Sequence, residues 1–171
     1  MRILEATHCT LEPLTVAHAR EMFGVLSDPA IYEFENEPPP SESWLEERYA
    51  RLERRASPDG REAWLNWVVR LPGGEAAGYV QATVRGSGDA LVAYELASWH
   101  WRKGIGSSAV SAVLDELRSN YGVRTFVAVL KAANHRSRGL LQKLGFEPAS
   151  PAHSEAFGAG PDEAAGASPW S

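Results

Sequence analysis

Trp101-Arg102-Lys103-Gly104-Ile105-Gly106-Ser107-Ser108 stands between the apolar, strand-like run Ala90-Leu91-Val92-Ala93-Tyr94-Glu95-Leu96-Ala97 and a stretch where Val110, Val113, Leu114 and Leu117 recur at helical spacing. A glycine-rich turn there feeds a helix N-terminus. The first amides of a helix have no intrahelical partner, and the macrodipole places partial positive charge beside them, so the junction favours an anion such as a phosphate. Gly104 and Gly106 let the backbone curl closely around such a group. Arg102 and Lys103 add positive charge to an acidic chain, and Ser107 or Ser108 offers a hydroxyl.

On spacing alone, a plain tight turn before a helix is an equal reading. The dinucleotide-binding fingerprint is half met: Ala109 can take its third position, but the following strand, Val123 to Leu130, ends without an acidic residue to hold a ribose. The P-loop pattern fails, since no Gly-Lys-Ser/Thr closes the run.

Trp101 to Gly106 resembles the Q/R-x-x-G-x-G/A pyrophosphate loop of the GNAT superfamily of acyl-CoA-dependent N-acetyltransferases, with Trp101 in place of Gln or Arg. A similar aromatic substitution occurs in the branch containing the ribosomal-protein N-terminal acetyltransferases. Asn134-His135-Arg136-Ser137 followed by Leu140-Leu141-Gln142-Lys143-Leu144-Gly145-Phe146 resembles that branch's N-x-x-S and L-x-K-L-G-F signature at the expected distance. The resemblance runs from about Ile3 to Ser150 and is strongest from Tyr79 to Phe146. It implies an α+β fold with a mixed, mostly antiparallel central sheet, a central parallel strand pair splayed to hold acyl-CoA, and helices on both faces.

With 171 residues, 44% of them hydrophobic, the chain suits one domain with a substantial core. We read 1–150 as that domain and 151–171 as a low-complexity tail of Ala, Gly, Pro and Ser, mostly mobile, in which Asp162 to Trp170 is a poor candidate for a closing strand. A net charge of −5 and a pI near 5.6 argue against a general nucleic-acid binder and suit a cationic substrate. Cys9 is the single cysteine, and the five histidines are scattered, so neither an intrachain disulfide nor a metal site is expected. No run has the length of a signal peptide or a membrane span, and a cytoplasmic location is the default expectation.

In chain order, Ile3 to Leu14 reads as a first strand and Thr15 as the cap of a helix carrying Val16, Ala19, Met22, Phe23 and Leu26. Ile31 to Pro40 is acidic and irregular. Its Glu33, Glu35 and Glu37 make either a solvated loop or a rim that attracts an amine. Ser41 caps a helix through Ala56 whose arginines read as a solvated face. Trp64 to Leu71 and Ala76 to Arg85 form a hairpin through Pro72-Gly73-Gly74-Glu75, and Gly86-Ser87-Gly88-Asp89 turns into the strand before the glycine loop. Asn66 and Gln81 interrupt these apolar strands; they either face solvent or line an acceptor cleft. The helix Gly104 to Tyr121, the strand Val123 to Leu130, the helix Ala132 to Leu144 and a strand from Phe146 to Ala149 follow.

The resemblance implies acetyl-CoA as acyl donor and a primary amine as acceptor, either a small molecule or a protein N-terminus, with no metal, nucleic acid or membrane involved and a homodimer left open. The pyrophosphate would rest on Arg102, Lys103, Gly104, Ile105, Gly106 and Ser107. The pantetheine arm would run beside Glu95, Leu96 and Ala97, a strand amide near Leu96 would receive the oxyanion, and Asn134 would hydrogen-bond the arm. The family's usual tyrosine acid, seven residues after the asparagine, is here Leu141, which leaves Ser137 as the replacement. Glu95, a carboxylate in an apolar strand whose pKa partial burial would raise, is the first candidate base, with Glu33, Glu35, Tyr94 and His100 as others. Glu33, Glu35 and Gln81 are the candidate acceptor contacts. A non-catalytic acyl-CoA-binding or sensing domain is the alternative function, and a nucleotide-binding domain a third.

Overall fold

The structure, a computed structural model, describes residues 1–34, 36–156, 159 and 163–168. Eight strands form one sheet: β1 Leu4–Glu5, β2 Thr10–Pro13, β3 Glu62–Arg70, β4 Ala76–Arg85, β5 Asp89–Leu96, β6 Thr125–Lys131, β7 Glu147–Pro148 and β8 Glu163–Ser168, in spatial order β1-β2-β3-β4-β5-β6-β8-β7. The helices are α1 Ala19–Val25, α2 Glu42–Leu52, α3 Ile105–Asn120, α4 His135–Lys143 and α5 Pro151–Ala156.

The chain from β1 to β5 meanders antiparallel, because short turns can join only antiparallel neighbours. The crossover through α3 makes β5 and β6 parallel. That parallel pairing covers only Asp89, Ala90 and Leu91 against Thr125, Phe126 and Val127. Beyond it β5 stays on β4 as far as Leu96, while β6 stays on β8 as far as Lys131, so the two strands diverge from Val92 onward. This gap in the sheet positions the site.

Two apolar layers clamp the sheet. On one face Val110, Val113, Leu114 and Leu117 of α3 meet Trp67 and Val69 of β3, Val80 and Phe126, and on the other Met22 of α1 with Leu45 and Tyr49 of α2 meet Val68. β3 is buried on both faces, so it reads as a nearly continuous apolar run rather than an alternation.

Element boundaries differ in places from the sequence expectation. Ile3 to Leu14 is two short strands, because Ala6 N–H donates to Cys9 O at 2.9 Å and folds the segment into a hairpin. α2 ends at Leu52 rather than Ala56, since Arg55 takes a left-handed φ of 62° and Ala56 bridges to Ala63. In the tail α5 follows Ser150, and the closing strand sought in Asp162 to Trp170 is β8, which inserts between β6 and β7 with a Lys131–Glu163 ion pair of 3.1 Å. Glu163-Ala164-Ala165-Gly166-Ala167-Ser168 has little apolar signal because a strand between two neighbours is held by ladder bonds, and Gly166 lies against Phe146. No helix among the described residues is long and apolar enough to cross a membrane.

Candidate active site

Gly78 is the first residue that the divergent sheet demands. A Cβ there would lie 1.9 Å from the Glu95 carbonyl oxygen, so β4 approaches β5 more closely than any side chain permits. Just beyond, Ala97 N–H donates to Ala77 O at 2.9 Å. By the alternation of an antiparallel ladder, the Leu96 main chain then faces the opposite edge, where β6 has departed. The Leu96 carbonyl accepts from Trp101 Nε1–H at 2.8 Å, which ties the glycine loop to the strand.

The loop itself arcs through two left-handed residues, Arg102 at φ 61° and Gly104 at φ 78°. Arg102 bears a strain of roughly 1–2 kcal/mol for an L-residue in that region, as positions around bound ligands often do. α3 starts at Ile105, and its first internal bond runs from Ser108 N–H to Gly104 O. The preceding amides are left for an anion. The two serines separate: Ser107 lines the cavity, whereas the Ser108 hydroxyl accepts from His8 N–H at 3.1 Å in the β1–β2 hairpin.

A cavity of about 300 Å³ occupies the gap. Of the sequence candidates, Glu95, Leu96, Arg102, Gly104, Gly106, Ser107 and Ser137 line it. Ala97, Lys103, Ile105 and Asn134 do not: Ala97 and Ile105 are core residues, Lys103 is exposed, and Asn134 Oδ1 accepts from Ser137 N–H at 3.2 Å as the cap of α4. Arg136, inside the motif Asn134-His135-Arg136-Ser137, is a site residue that the sequence alone does not single out. Its Cζ lies 3.3 Å from the centre of the Trp101 ring and it lines the cavity, so the charge missing at position 101 arrives from α4.

Two further residues shape the cavity. A Cβ on Gly106 would stand 2.9 Å from Leu140 Cδ1, so the helix start and α4 are drawn together at the loop. His100 is buried at the cavity wall, and its Nε2 is without a hydrogen-bond partner among the described residues, with Glu75 Oε2 3.9 Å away. Burial pushes its imidazole below the usual range, against the raising effect of Glu75.

A second cavity of about 320 Å³ opens on the α1–α2 face, lined among others by Tyr32, Asn36, Glu37, Trp44, Arg48, Tyr49, Asn66, Tyr79, Gln81 and Glu95. Strand parity accounts for this set. Asn66 opposes Gln81, and Tyr79 opposes Glu95, so these four share one face, whereas Tyr94 belongs to the other. Glu95 therefore lines both cavities. Its charge reaches three phenols: burial pushes Tyr32 up to about 12 with help from Glu95, and burial first, then Glu95, raises Tyr79. Tyr94 is raised by burial, against the opposing effect of Ser137 and with Glu95 adding to the rise.

Gln81 thus stands in the second cavity as expected, and Asn66 joins it. Glu33 is exposed and does not line it, Glu37 does, and Glu35 lies outside the described residues. The arginines of α2 read as a solvated face, yet Arg48 reaches the cavity wall. No composition signal separates it from Arg51; only the register of the helix does.

Asp28 couples the two halves. Its carboxylate accepts from Ser98 N–H at 2.6 Å, just after Leu96 and Ala97, and from Ala30 N–H at 3.1 Å, just before Tyr32. Burial pushes the Asp28 carboxyl up, but these hydrogen bonds outweigh it and hold it below the ordinary range.

The fold and the sequence both have known counterparts. The chain superposes on the ribosomal-protein-S5-alanine acetyltransferase of Vibrio fischeri with a TM-score of 0.80 at 17% identity, covering 99% of this chain and 98% of that one. It superposes on RimL, a ribosomal L7/L12 alpha-N-protein acetyltransferase in complex with coenzyme A, with a TM-score of 0.79 at 15% identity, covering 96% of each. Mycobacterium smegmatis RimJ in complex with CoA-disulfide gives 0.78 at 19% identity, covering 96% of this chain and 86% of that one. At such identities the likeness is one of fold. No curated protein matches the sequence. The family described as Acetyltransferase (GNAT) domain matches residues 8–147, and the chain belongs to that family of acyltransferases.

Proposed function

We propose that the protein transfers an acetyl group from acetyl-CoA directly to a primary amine, of a protein N-terminus or of a small molecule. The observation that carries the reading is the position of Glu95, which lines the cofactor cavity and the acceptor cavity at once. Acetyl-CoA, when bound, supplies an activated thioester carbonyl. Arg102, Lys103, Gly104, Ile105, Gly106 and Ser107 offer main-chain amides and charge to its phosphates, with Arg136 above them, while Leu96 presents strand edge to the pantetheine arm, Ala97 anchors that strand on Ala77, and Asn134 fixes the start of α4.

In this reading Glu95 takes the proton from the attacking amine on the acceptor face. The Leu96 N–H, fixed at the open edge of β5, donates to the oxygen on which charge develops. Ser137, which lines the cavity beside the raised and therefore neutral Tyr94 phenol, delivers a proton to the departing sulfur, in place of the tyrosine that Leu141 replaces. RimL and RimJ, solved with coenzyme A or its disulfide, support the donor, and the two ribosomal-protein acetyltransferases named above support a protein N-terminus as one acceptor class.

The test is release of free CoA thiol from acetyl-CoA with a panel of amines and N-terminal peptides, with mass spectrometry of the acceptor. Amine-dependent thiol release with a gain of one acetyl group is expected. Stabilisation by acetyl-CoA without thiol release for any amine would instead establish an acyl-CoA-binding domain without catalysis.

A further inference from the structure

The acceptor cavity carries charges of both signs. Glu37 and Glu95 supply carboxylates, and Arg48 supplies a guanidinium from α2, one turn after Trp44, with its Cζ 5.9 Å from the Trp44 ring centre. No carboxylate lies within ion-pair distance of Arg48 among the described residues. Its charge is nonetheless felt in the cavity, because it pulls down the phenols of Tyr49 and Tyr79, which burial raises. A guanidinium at a cavity wall, set over an indole and without an ion-pair partner among the described residues, presents its fork of donors to whatever enters.

The floor is polar as well. Asn66 and Gln81 sit directly opposite each other on β3 and β4, and Asn66 is only 7% exposed. Neither side-chain amide is hydrogen-bonded to the protein among the described residues. Asn66 is buried and Gln81 half-buried, and both line the cavity, so their amides are open to a polar ligand that enters it. A simple alkylamine would leave both amides and Arg48 unanswered. A polyamine would meet Arg48 with a like charge. A dipolar molecule answers all of them.

We propose that the acceptor is a carboxylate-bearing amine, seated with its amine toward Glu95 and its carboxylate toward Arg48; this rests on the acetyl-transfer reading above. A cavity of about 320 Å³ has room for an amino acid or for the first residues of a peptide. A free amino acid and an N-terminal residue with an acidic side chain share that chemistry.

The experiment uses matched pairs: free amino acids against their amides, and short peptides beginning with Asp or Glu against those beginning with Asn or Gln. Initial rates of CoA release give kcat/KM for each pair in the wild type and in Arg48→Gln, Arg48→Lys and Arg51→Gln. The carboxylate member should be favoured at least tenfold. Arg48→Gln should bring the ratio near one, Arg48→Lys should retain part of it, and Arg51→Gln, on the same helix but outside the cavity, should leave it intact. Selectivity among free amino acids assigns a small-molecule source, and selectivity among peptides alone assigns an N-terminus. Equal rates within every pair, or a ratio unchanged in Arg48→Gln, overturns the proposal. Thermal shifts by the same pairs in the presence of CoA read binding without turnover. If no amine is acetylated, the acetyl-transfer reading falls, while carboxylate-selective stabilisation lost in Arg48→Gln still upholds the inference and its absence overturns it.

Discussion

The guanidinium carbon of Arg136 lies over the Trp101 indole, 3.3 Å from the ring centre, while the edge of the same indole donates to the Leu96 carbonyl. One residue from α4 and one from the loop thus replace the polar side chain that the GNAT motif carries at position 101. A stacked, fixed guanidinium loses little entropy on meeting a phosphate. Arg136→Ala should weaken CoA binding about tenfold, on the scale of the roughly 1–2 kcal/mol of a partly desolvated cationic contact, with a shallower dependence on salt. Isothermal titration calorimetry at two ionic strengths measures both. Unchanged affinity would leave Arg136 as a lid on the indole only.

Gly104 holds the loop open at φ 78°, and a Cβ there would stand 3.3 Å from the His8 ring. A β-branched residue is strained in that region and tight against His8 at the same time. Gly104→Val should abolish measurable CoA binding and cost roughly 1–2 kcal/mol of stability, with the circular dichroism of the fold retained. Intact CoA affinity in this variant would remove the phosphate site from the loop.

Ser137 and Tyr94 line the same cavity, where Ser137 opposes the rise that burial imposes on the Tyr94 phenol. Ser137→Ala should lower kcat with little change in acetyl-CoA affinity, because an acid for the leaving sulfur acts in the transition state. Tyr94→Phe should reproduce part of that loss by removing the phenol beside the serine. Steady-state kinetics beside calorimetry separates the two parameters, and an unchanged kcat in Ser137→Ala would make it a structural residue of α4.

Much of this was legible beforehand. The β3-β4-β5 meander, the parallel crossover and the glycine loop announce themselves through turn residues and apolar periodicity, and Glu95 stands out as a carboxylate in an apolar strand. The acceptor wall was not legible, because Tyr32, Arg48, Tyr49 and Tyr79 come from three elements that meet only in space. β8 is only faintly legible for a different reason: the candidate stretch Asp162 to Trp170 carries Ala and Gly side chains without a pattern, and ladder bonds on both edges hold the strand. Gly78 left a trace, a glycine inside a strand, that marks a close backbone approach.

Asp28 makes a pH-dependent link between the acceptor wall and the cofactor strand. Its carboxyl is held below the ordinary range, so the unfolded chain binds that proton more readily than the folded one. The stability it contributes is complete above the ordinary carboxylate pKa and is lost as pH falls through the folded value. Asp28→Ala should cost about 2 kcal/mol near neutral pH, the scale of charge-assisted hydrogen bonds left unmade, and the gap to wild type should narrow at an acid pH below the ordinary carboxylate pKa of about 3.9. Urea unfolding at the two pH values reads this directly, and a gap that stays constant would deny Asp28 the role.

The account depends most on Glu95 acting as the base between the two cavities. With an amine acceptor identified, Glu95→Gln keeps the shape of the wall and removes the proton acceptor. Its kcat should fall about 10²–10⁴-fold, with acetyl-CoA affinity preserved and the rising limb of kcat/KM against pH altered. Glu95→Gln retaining the full rate and an unaltered pH profile, while loss of a carboxylate at Glu33 or Glu37 abolishes turnover, would place the base on the acceptor loop and contradict the account.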